Sequence, residues 1–278
     1  MHKLILNTAR LQEYIQRVTG DCLRKEPLYP TDIEALDDAS AVLFLLGIMP
    51  SNNGNGPEPC LILNKRSQIV TQPGDLCCPG GGISSKIDTA LSKAMALPGL
   101  PMWRWPFWPE IKSRSKQEAG ILRLLFSTSI RESYEEMRLN PFGVRFLGPL
   151  PTESLAMFSR VIYPMVGWVA RQQQFRTNWE VEKIVAIPLS ALLNPDNYVR
   201  YRLEIKDPSD SAGHHRVYDA PSYMHRTNAE SEVLWGATCR MTLGFLKSVF
   251  DFSPPARDSL PVLKDTLDRS YLNNGKPA

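Results

Sequence analysis

The stretch Arg131-Glu132-Ser133-Tyr134-Glu135-Glu136 sets three carboxylates close together. On a helix, Glu132 lies three and four positions from Glu135 and Glu136, so the acids share one face. Like charges at that spacing repel and weaken the helix unless a cation sits among them. Oxygen ligands of this kind suit Mg²⁺ or Mn²⁺, which also bind phosphates. The same residues can equally form a solvated acidic face with Arg131 as a neighbour. A second feature is the turn Pro79-Gly80-Gly81-Gly82, whose missing side chains let backbone amides and carbonyls come close to a ligand. Alone, such a turn often just joins two strands.

The flanking pattern says which elements hold these residues. Residues 41–49 are an unbroken apolar run of strand length, residues 51–59 are a loop rich in Asn, Gly and Pro, and residues 59–65 read as the hairpin partner. The glycine turn follows. Residues 97–110 contain four prolines and cannot form a regular helix. Ser115 and Glu118 then have capping-box spacing, and Ile121, Leu122, Leu125, Phe126 and Ile130 carry a helical period into residues 131–139. Asn140-Pro141 stops it. Strands are expected at 144–147, 161–169 and 184–187, a short helix at 190–193 and a last helix at 234–249. Near the start, Leu11, Tyr14, Ile15 and Val18 have helical spacing; residues 253–278 read as a tail rich in Pro and charge. Strands and helices alternate without a clean βαβ period, which predicts an α/β fold with a mixed sheet between helices.

Composition narrows the class. The chain has 278 residues, 43% hydrophobic and 22% charged, enough for a full globular core. A net charge of +3 with scattered Lys and Arg does not point to nucleic acid. The longest apolar run is too short to span a membrane, and the first twenty residues lack a signal-peptide pattern, so a cytoplasmic protein is expected. The five cysteines include no Cys-x-x-Cys and read as reduced thiols. His214, His215 and His225 lie in a polar stretch that reads as a surface loop, and no motif supports Ser-His-Asp catalysis.

Taken together, the glycine turn and the acidic helix resemble the Nudix box, Gly-x5-Glu-x7-Arg-Glu-U-x-Glu-Glu-x-Gly-U, with U aliphatic. Arg131, Glu132, Glu135, Glu136 and Leu139 match it, and Asp88 stands five residues after Gly82 where the first Glu belongs. The box is split, because residues 89–130 separate Asp88 from Arg131 where the motif has seven. Ser133 takes an aliphatic position and Arg138 replaces the last glycine. Upstream, Ile62-Leu63-Asn64-Lys65-Arg66-Ser67 and the stretch from Gly74 to Gly81 are similar to the coenzyme A diphosphatase signature, Leu-Leu-Thr-x-Arg-Ser-x3-Arg-x3-Gly-x3-Phe-Pro-Gly-Gly. Thr71 is nearest to the position of its second Arg. Downstream, Glu180-Val181, Ile187-Pro188-Leu189 and Leu234-Trp235-Gly236-Ala237-Thr238 look like segments of the same subfamily.

This resemblance implies a Nudix α/β/α sandwich over residues 38–250, with an N-terminal helical addition at 1–37, an insertion near 89–120 and a tail at 251–278. It implies a diphosphatase acting on a nucleoside diphosphate-linked small molecule, coenzyme A or a derivative in the closest variant. Mg²⁺ or Mn²⁺ would be held by Glu132, Glu135, Glu136 and the Gly81 carbonyl; Arg131 would orient a glutamate, and Glu132 and Glu180 are candidates for the general base. Arg66 is expected to bind substrate. Trp103 or Trp105 of the insertion is expected either to stack on the substrate or to pack against the N-terminal helices or a dimer interface. No nucleic acid or membrane span is implied, and a homodimer stays open. The other readings are a Nudix-fold nucleotide sensor that does not hydrolyse its ligand, and an enzyme for ADP-ribose or dinucleotide polyphosphates.

Overall fold

The computed structural model describes residues 2–25, 39–50, 56–154, 160–172, 174–205, 216–227, 230–267 and 271. Helices α1 (His2–Ile5) and α2 (Thr8–Lys25) precede strands β1 (Ala39–Met49) and β2 (Glu58–Arg66). Two short strands, β3 (Leu76–Cys77) and β4 (Gly80–Gly82), lead to α3 (Ser85–Met95), α4 (Trp108–Arg114) and α5 (Lys116–Met137). Next come β5 (Val144–Pro149), β6 (Glu153–Ser154), β7 (Val161–Val169), β8 (Val181–Pro188) and α6 (Leu189–Leu192). The remaining elements are β9 (Tyr198–Ile205), β10 (Arg216–Arg226), β11 (Ser231–Leu234), α7 (Gly236–Phe250) and β12 (Val262–Leu267).

β1 organises the molecule. It pairs antiparallel with β2 and parallel with β7, within a mixed sheet that also contains β3, β4, β5, β6 and β8. Almost every β1 residue is buried, so the strand needs cover on both faces. Its alternation divides the interior into two cores. Val42, Phe44 and Leu46 join Leu11 and Ile15 of α2 and Phe245 and Leu246 of α7. Ala41, Leu43 and Leu45 join Leu122, Leu125, Phe126 and Ile130 of α5. The sheet therefore lies between two helical layers, as the alternation of the sequence predicts.

Helix α5 begins as its spacing predicts. Ser115 is the N-cap, and its hydroxyl accepts the Glu118 N–H at 3.2 Å. The helix runs unbroken through Arg131 to Met137, where Arg138 caps it in the left-handed region at φ 53°. The insertion before it is fastened to α2 and β5. Trp105 meets Phe146 edge-on at 5.1 Å between ring centroids. Phe107 lies so close over Gly20 that a Cβ there would be 2.5 Å from its ring. Arg24 pairs with Glu110 at 2.5 Å, and the Arg114 Nη1 donates to the Leu23 carbonyl at 3.0 Å. Of the two roles expected for this segment, packing on the N-terminal helix is the one the contacts display.

Several expectations need correction. Residues 97–110 are not irregular throughout, since α4 starts at Trp108 with Pro109 in its first turn, where a missing N–H breaks no helical bond. The segment 253–278 is not only a tail: β12 adds parallel to β9, in a second sheet ordered β11-β10-β9-β12. β12 is mostly exposed, so it lacks the apolar alternation that marks a strand. His225 belongs to β10 rather than to a loop, half-buried and stacked on Tyr223. His214 and His215 lie outside the described residues. Cys60, Cys78 and Cys239 are buried, and all five thiols are free.

Candidate active site

The glycine turn is built into the sheet. In β4, Gly80 stands opposite Val42 and Gly81 opposite Ala41 of β1. Gly80 has φ +150°, and a Cβ there would lie 2.4 Å from the Ala41 carbonyl oxygen. Only glycine fits that approach. Gly81 rests on the acidic helix, since its Cβ would be 2.6 Å from the Glu132 carboxyl carbon.

Arg131 ties the two ends of the split motif together. Its Nε donates to Asp88 Oδ1 at 2.6 Å, and its Nη2 donates to Asp88 Oδ2 and to the Gly82 carbonyl, each at 3.1 Å. The same guanidinium reaches Glu132 at 2.9 Å and Glu135 at 3.1 Å. Asp88, at 0% exposure, also accepts the Ser84 N–H at 2.6 Å and the Thr128 hydroxyl at 2.9 Å. Asp88 is thus the fixed counter-ion of Arg131, and α3 runs alongside α5 to put it there. A bidentate guanidinium pair of this kind is strong and directional.

Glu136 is buried at the meeting point of turn, strand and helix. Its Oε2 accepts the Asn64 side-chain amide at 2.8 Å and the Gly80 N–H at 3.1 Å. Burial pushes its carboxyl up to about 8 against the pull of the Gly80 N–H, and repulsion from Glu132 and Glu180 adds to the rise. Burial likewise raises Glu132, opposed by Arg131. Glu135 is half exposed. Glu180 sits on the segment entering β8, with its N–H donating to Asn178 Oδ1 at 2.9 Å, while the Asn178 N–H donates to the Glu136 carbonyl at 2.9 Å. Arg131, Glu132, Glu135, Glu136, Gly81 and Glu180 are therefore brought together.

Arg66 lies on the rim and closes its own loop. Its Nε donates to the Thr71 carbonyl at 2.7 Å and its Nη2 to the Thr71 hydroxyl at 3.2 Å. Trp105 departs from the expected substrate contact. It is 1% exposed, buried between α2 and β5, and no ligand can stack on it without opening the core. Trp103 is 53% exposed on the turn before α4.

Two polar residues escaped the sequence reading. Asn64 had a signal: it follows Cys60 and Ile62 in the same phase of β2, the phase that faces α5, so it is a polar residue at a core position. Asp75 had none. It accepts the Trp235 indole N–H at 3.1 Å and the Tyr271 hydroxyl, partners far away in sequence. Burial pushes Asp75 up to about 6.

The donor types fit a hard divalent cation. Carboxylates converge on a glycine cradle, and the buried Asn64 Oδ1 beside them has no hydrogen-bond donor. Among the described residues no three acidic, His or Cys side chains already close on one point. Arg131 pairs with both Glu132 and Glu135.

Fold and site together define an α/β protein whose glycine turn and acidic helix meet in one cluster of charged groups. No family model matches the chain. It is similar to NudL, an uncharacterized Nudix hydrolase from Pectobacterium atrosepticum, at 34% identity over 98 residues, which are 34% of this chain and 47% of that protein. The chain thus spans about half the length of the curated relative it matches. The Nudix hydrolases are the family this similarity supports. Solved structures with some likeness include a MutT/nudix family protein from Enterococcus faecalis, at 9% identity over 88% of this chain and 75% of that one, TM-score 0.38. The NUDIX domain of Shewanella oneidensis NrtR complexed with ADP ribose is 14% identical over 62% of this chain and 84% of that one, TM-score 0.34. Likenesses this weak carry no argument about what this chain does.

Proposed function

We propose that the chain is a Nudix diphosphatase that hydrolyses the diphosphate of a nucleoside diphosphate-linked small molecule, with coenzyme A or a derivative as the substrate. The observation that carries this reading is the closure of the split motif. Despite the insertion, Arg131 binds Asp88 and the Gly82 carbonyl while Glu136 takes the Gly80 N–H, so turn and helix form one unit. A solvated acidic face would have no use for that cross-linking.

Glu132, Glu135, Glu136 and the Gly81 carbonyl would hold Mg²⁺ or Mn²⁺, which when bound neutralises diphosphate charge and makes a water more acidic. Glu136 contributes from a position fixed by Asn64 and Gly80. Arg131, anchored by Asp88, would orient Glu132 and Glu135 for that role. Glu132 and Glu180 are the candidates to take the proton of the attacking water. Arg66, on the rim, would meet the outer part of the substrate. Intact Glu132, Glu135 and Glu136 favour an enzyme over a nucleotide sensor, since a pure binder has no need of all three.

A substrate panel containing coenzyme A, ADP-ribose and dinucleotide polyphosphates, run with Mg²⁺, Mn²⁺ and chelator, tests this. The expected result is metal-dependent cleavage of coenzyme A to 3′,5′-ADP and a phosphopantetheine product, read by mass spectrometry. Much faster hydrolysis of ADP-ribose removes the coenzyme A assignment alone. Binding of nucleotides without any cleavage removes the enzyme.

A further inference from the structure

A cavity of about 430 Å³ opens where α5 ends, between the helix and the segment that enters β8. Tyr134, Arg138, Gln172, Arg176, Thr177 and Asn178 line it. Backbone bonds build its floor: the Arg176 N–H donates to the Met137 carbonyl at 3.2 Å and the Asn178 N–H to the Glu136 carbonyl at 2.9 Å. The Gln172 side chain accepts the Asn140 N–H at 2.8 Å and donates to the Arg138 and Gln174 carbonyls, each at 3.0 Å. These contacts give donors to the Glu136, Met137 and Arg138 carbonyls, which reduces the negative potential that the end of the helix turns toward an anion.

Among the described residues no carboxylate forms an ion pair with Arg138 or Arg176. Arg138 lies over the Tyr134 ring, 5.0 Å from its centroid, which holds the guanidinium at the cavity wall. Arg138 also occupies the left-handed region, at φ 53°, where glycine is least strained and where the motif it resembles has glycine. A cationic side chain kept at a strained position calls for a use beyond capping.

We propose that this cavity binds a phosphate monoester on the nucleoside end of the substrate, a phosphate separate from the two joined by the cleaved bond. The proposal rests on the diphosphatase reading for the identity of the rest of the ligand. Guanidinium forks match phosphate oxygens in geometry and charge, and the Thr177 hydroxyl adds a neutral donor. Position agrees with chemistry. Glu135 precedes Arg138 by a rise of roughly 4.5 Å along the axis, and Asn178 joins the cavity wall to Glu136. A ligand with its diphosphate at the carboxylates can thus set an ester phosphate between the arginines. Acidic and basic compartments side by side fix which way round it binds.

Calorimetry on the full chain, without metal and without turnover, tests this with adenosine 3′,5′-bisphosphate, adenosine 5′-monophosphate and inorganic phosphate. The wild type is expected to bind the bisphosphate at least tenfold more tightly than the monophosphate. Arg138→Gln and Arg176→Gln should each bring that ratio toward one, whereas Glu136→Gln should keep it. Arg138→Gly relieves the backbone while removing the cation, so it should fold at least as well and still lose the discrimination. Equal affinities in the wild type, or an undiminished ratio in the arginine variants, overturn the proposal. Inorganic phosphate binding as tightly as the bisphosphate would make this a site for free phosphate and also overturn it. Because no turnover is read, a chain that binds in the expected pattern but hydrolyses nothing loses the diphosphatase reading and keeps the phosphate site.

Discussion

Residues 116–130 and 131–137 belong to one helix, α5, yet opposite forces hold the two parts. In the first, Ile121, Leu122, Leu125 and Phe126 are buried in an apolar core that the insertion helps to close. In the second, Arg131, Glu132 and Glu136 are tied by ion pairs and hydrogen bonds, and burial raises two of the acids. An acidic cluster that would weaken an isolated helix is tolerated because its apolar half anchors it. Stability and chemistry are thus separated along one element, and substitutions on either side should separate them experimentally.

Glu136→Gln should have the largest effect. It keeps the size and removes the charge, so turnover at saturating Mg²⁺ should fall by about a hundredfold or more. Burial disfavours the ionised form of Glu136, so its melting temperature should stay level or rise. Turnover near that of the wild type would show that the charged half of α5 holds no catalytic metal.

The apolar half should respond in the opposite way. Trp105→Ala removes a ring packed on Phe146, and it should cost roughly 3–5 kcal/mol in denaturant unfolding. KM and kcat of the folded fraction should not change. Trp105→Phe should cost far less, because the buried indole N–H that it removes has no partner. A large change in KM for Trp105→Ala would mean that the two halves are not independent.

Asp75 offers a smaller, pH-dependent effect outside α5. Burial raises Asp75 from 3.8 to about 6, while the Trp235 and Tyr271 donors pull the other way. The folded chain then holds this proton more tightly than the unfolded one. Its contribution to stability is full below pH 3.8 and is lost as pH rises through about 6. Asp75→Asn should therefore become more stable than the wild type as pH rises from 4 to 7, by at most about 3 kcal/mol. Denaturant unfolding of both proteins across that range checks the sign. A difference that does not vary with pH would remove the assignment.

What the sequence disclosed follows the range of the forces involved. The period of α5, its Ser115 cap and the apolar run of β1 are local patterns, and each element formed close to its expected place. The acidic face was legible because its three carboxylates lie on neighbouring turns. The motif resemblance placed Asp88 and Arg131 in one box across the insertion, but their ion pair was visible only in the folded chain. Asn64 left a trace in the phase of its strand. Asp75 and β12 left none, since their partners, Tyr271 and β9, come together only in the folded chain.

Trp103 should show the smallest effect and is the finest probe of where the insertion acts. Trp103 and Trp105 are nearly adjacent, yet one is 53% exposed and the other 1%. Trp105 and Phe107 turn the segment toward β5 and α2, and the Arg24–Glu110 pair fastens it there. Exposed side chains outside a packed core usually change stability by less than about 0.5 kcal/mol when truncated. Trp103→Ala should therefore melt with the wild type and keep its KM and kcat within twofold. A KM several times higher with an unchanged melt would place Trp103 against the substrate, and the insertion would then serve the charged half of α5 as well as the apolar one. Loss of a dimer in light scattering, with kinetics unchanged, would instead identify this exposed ring as part of a contact between copies of the chain.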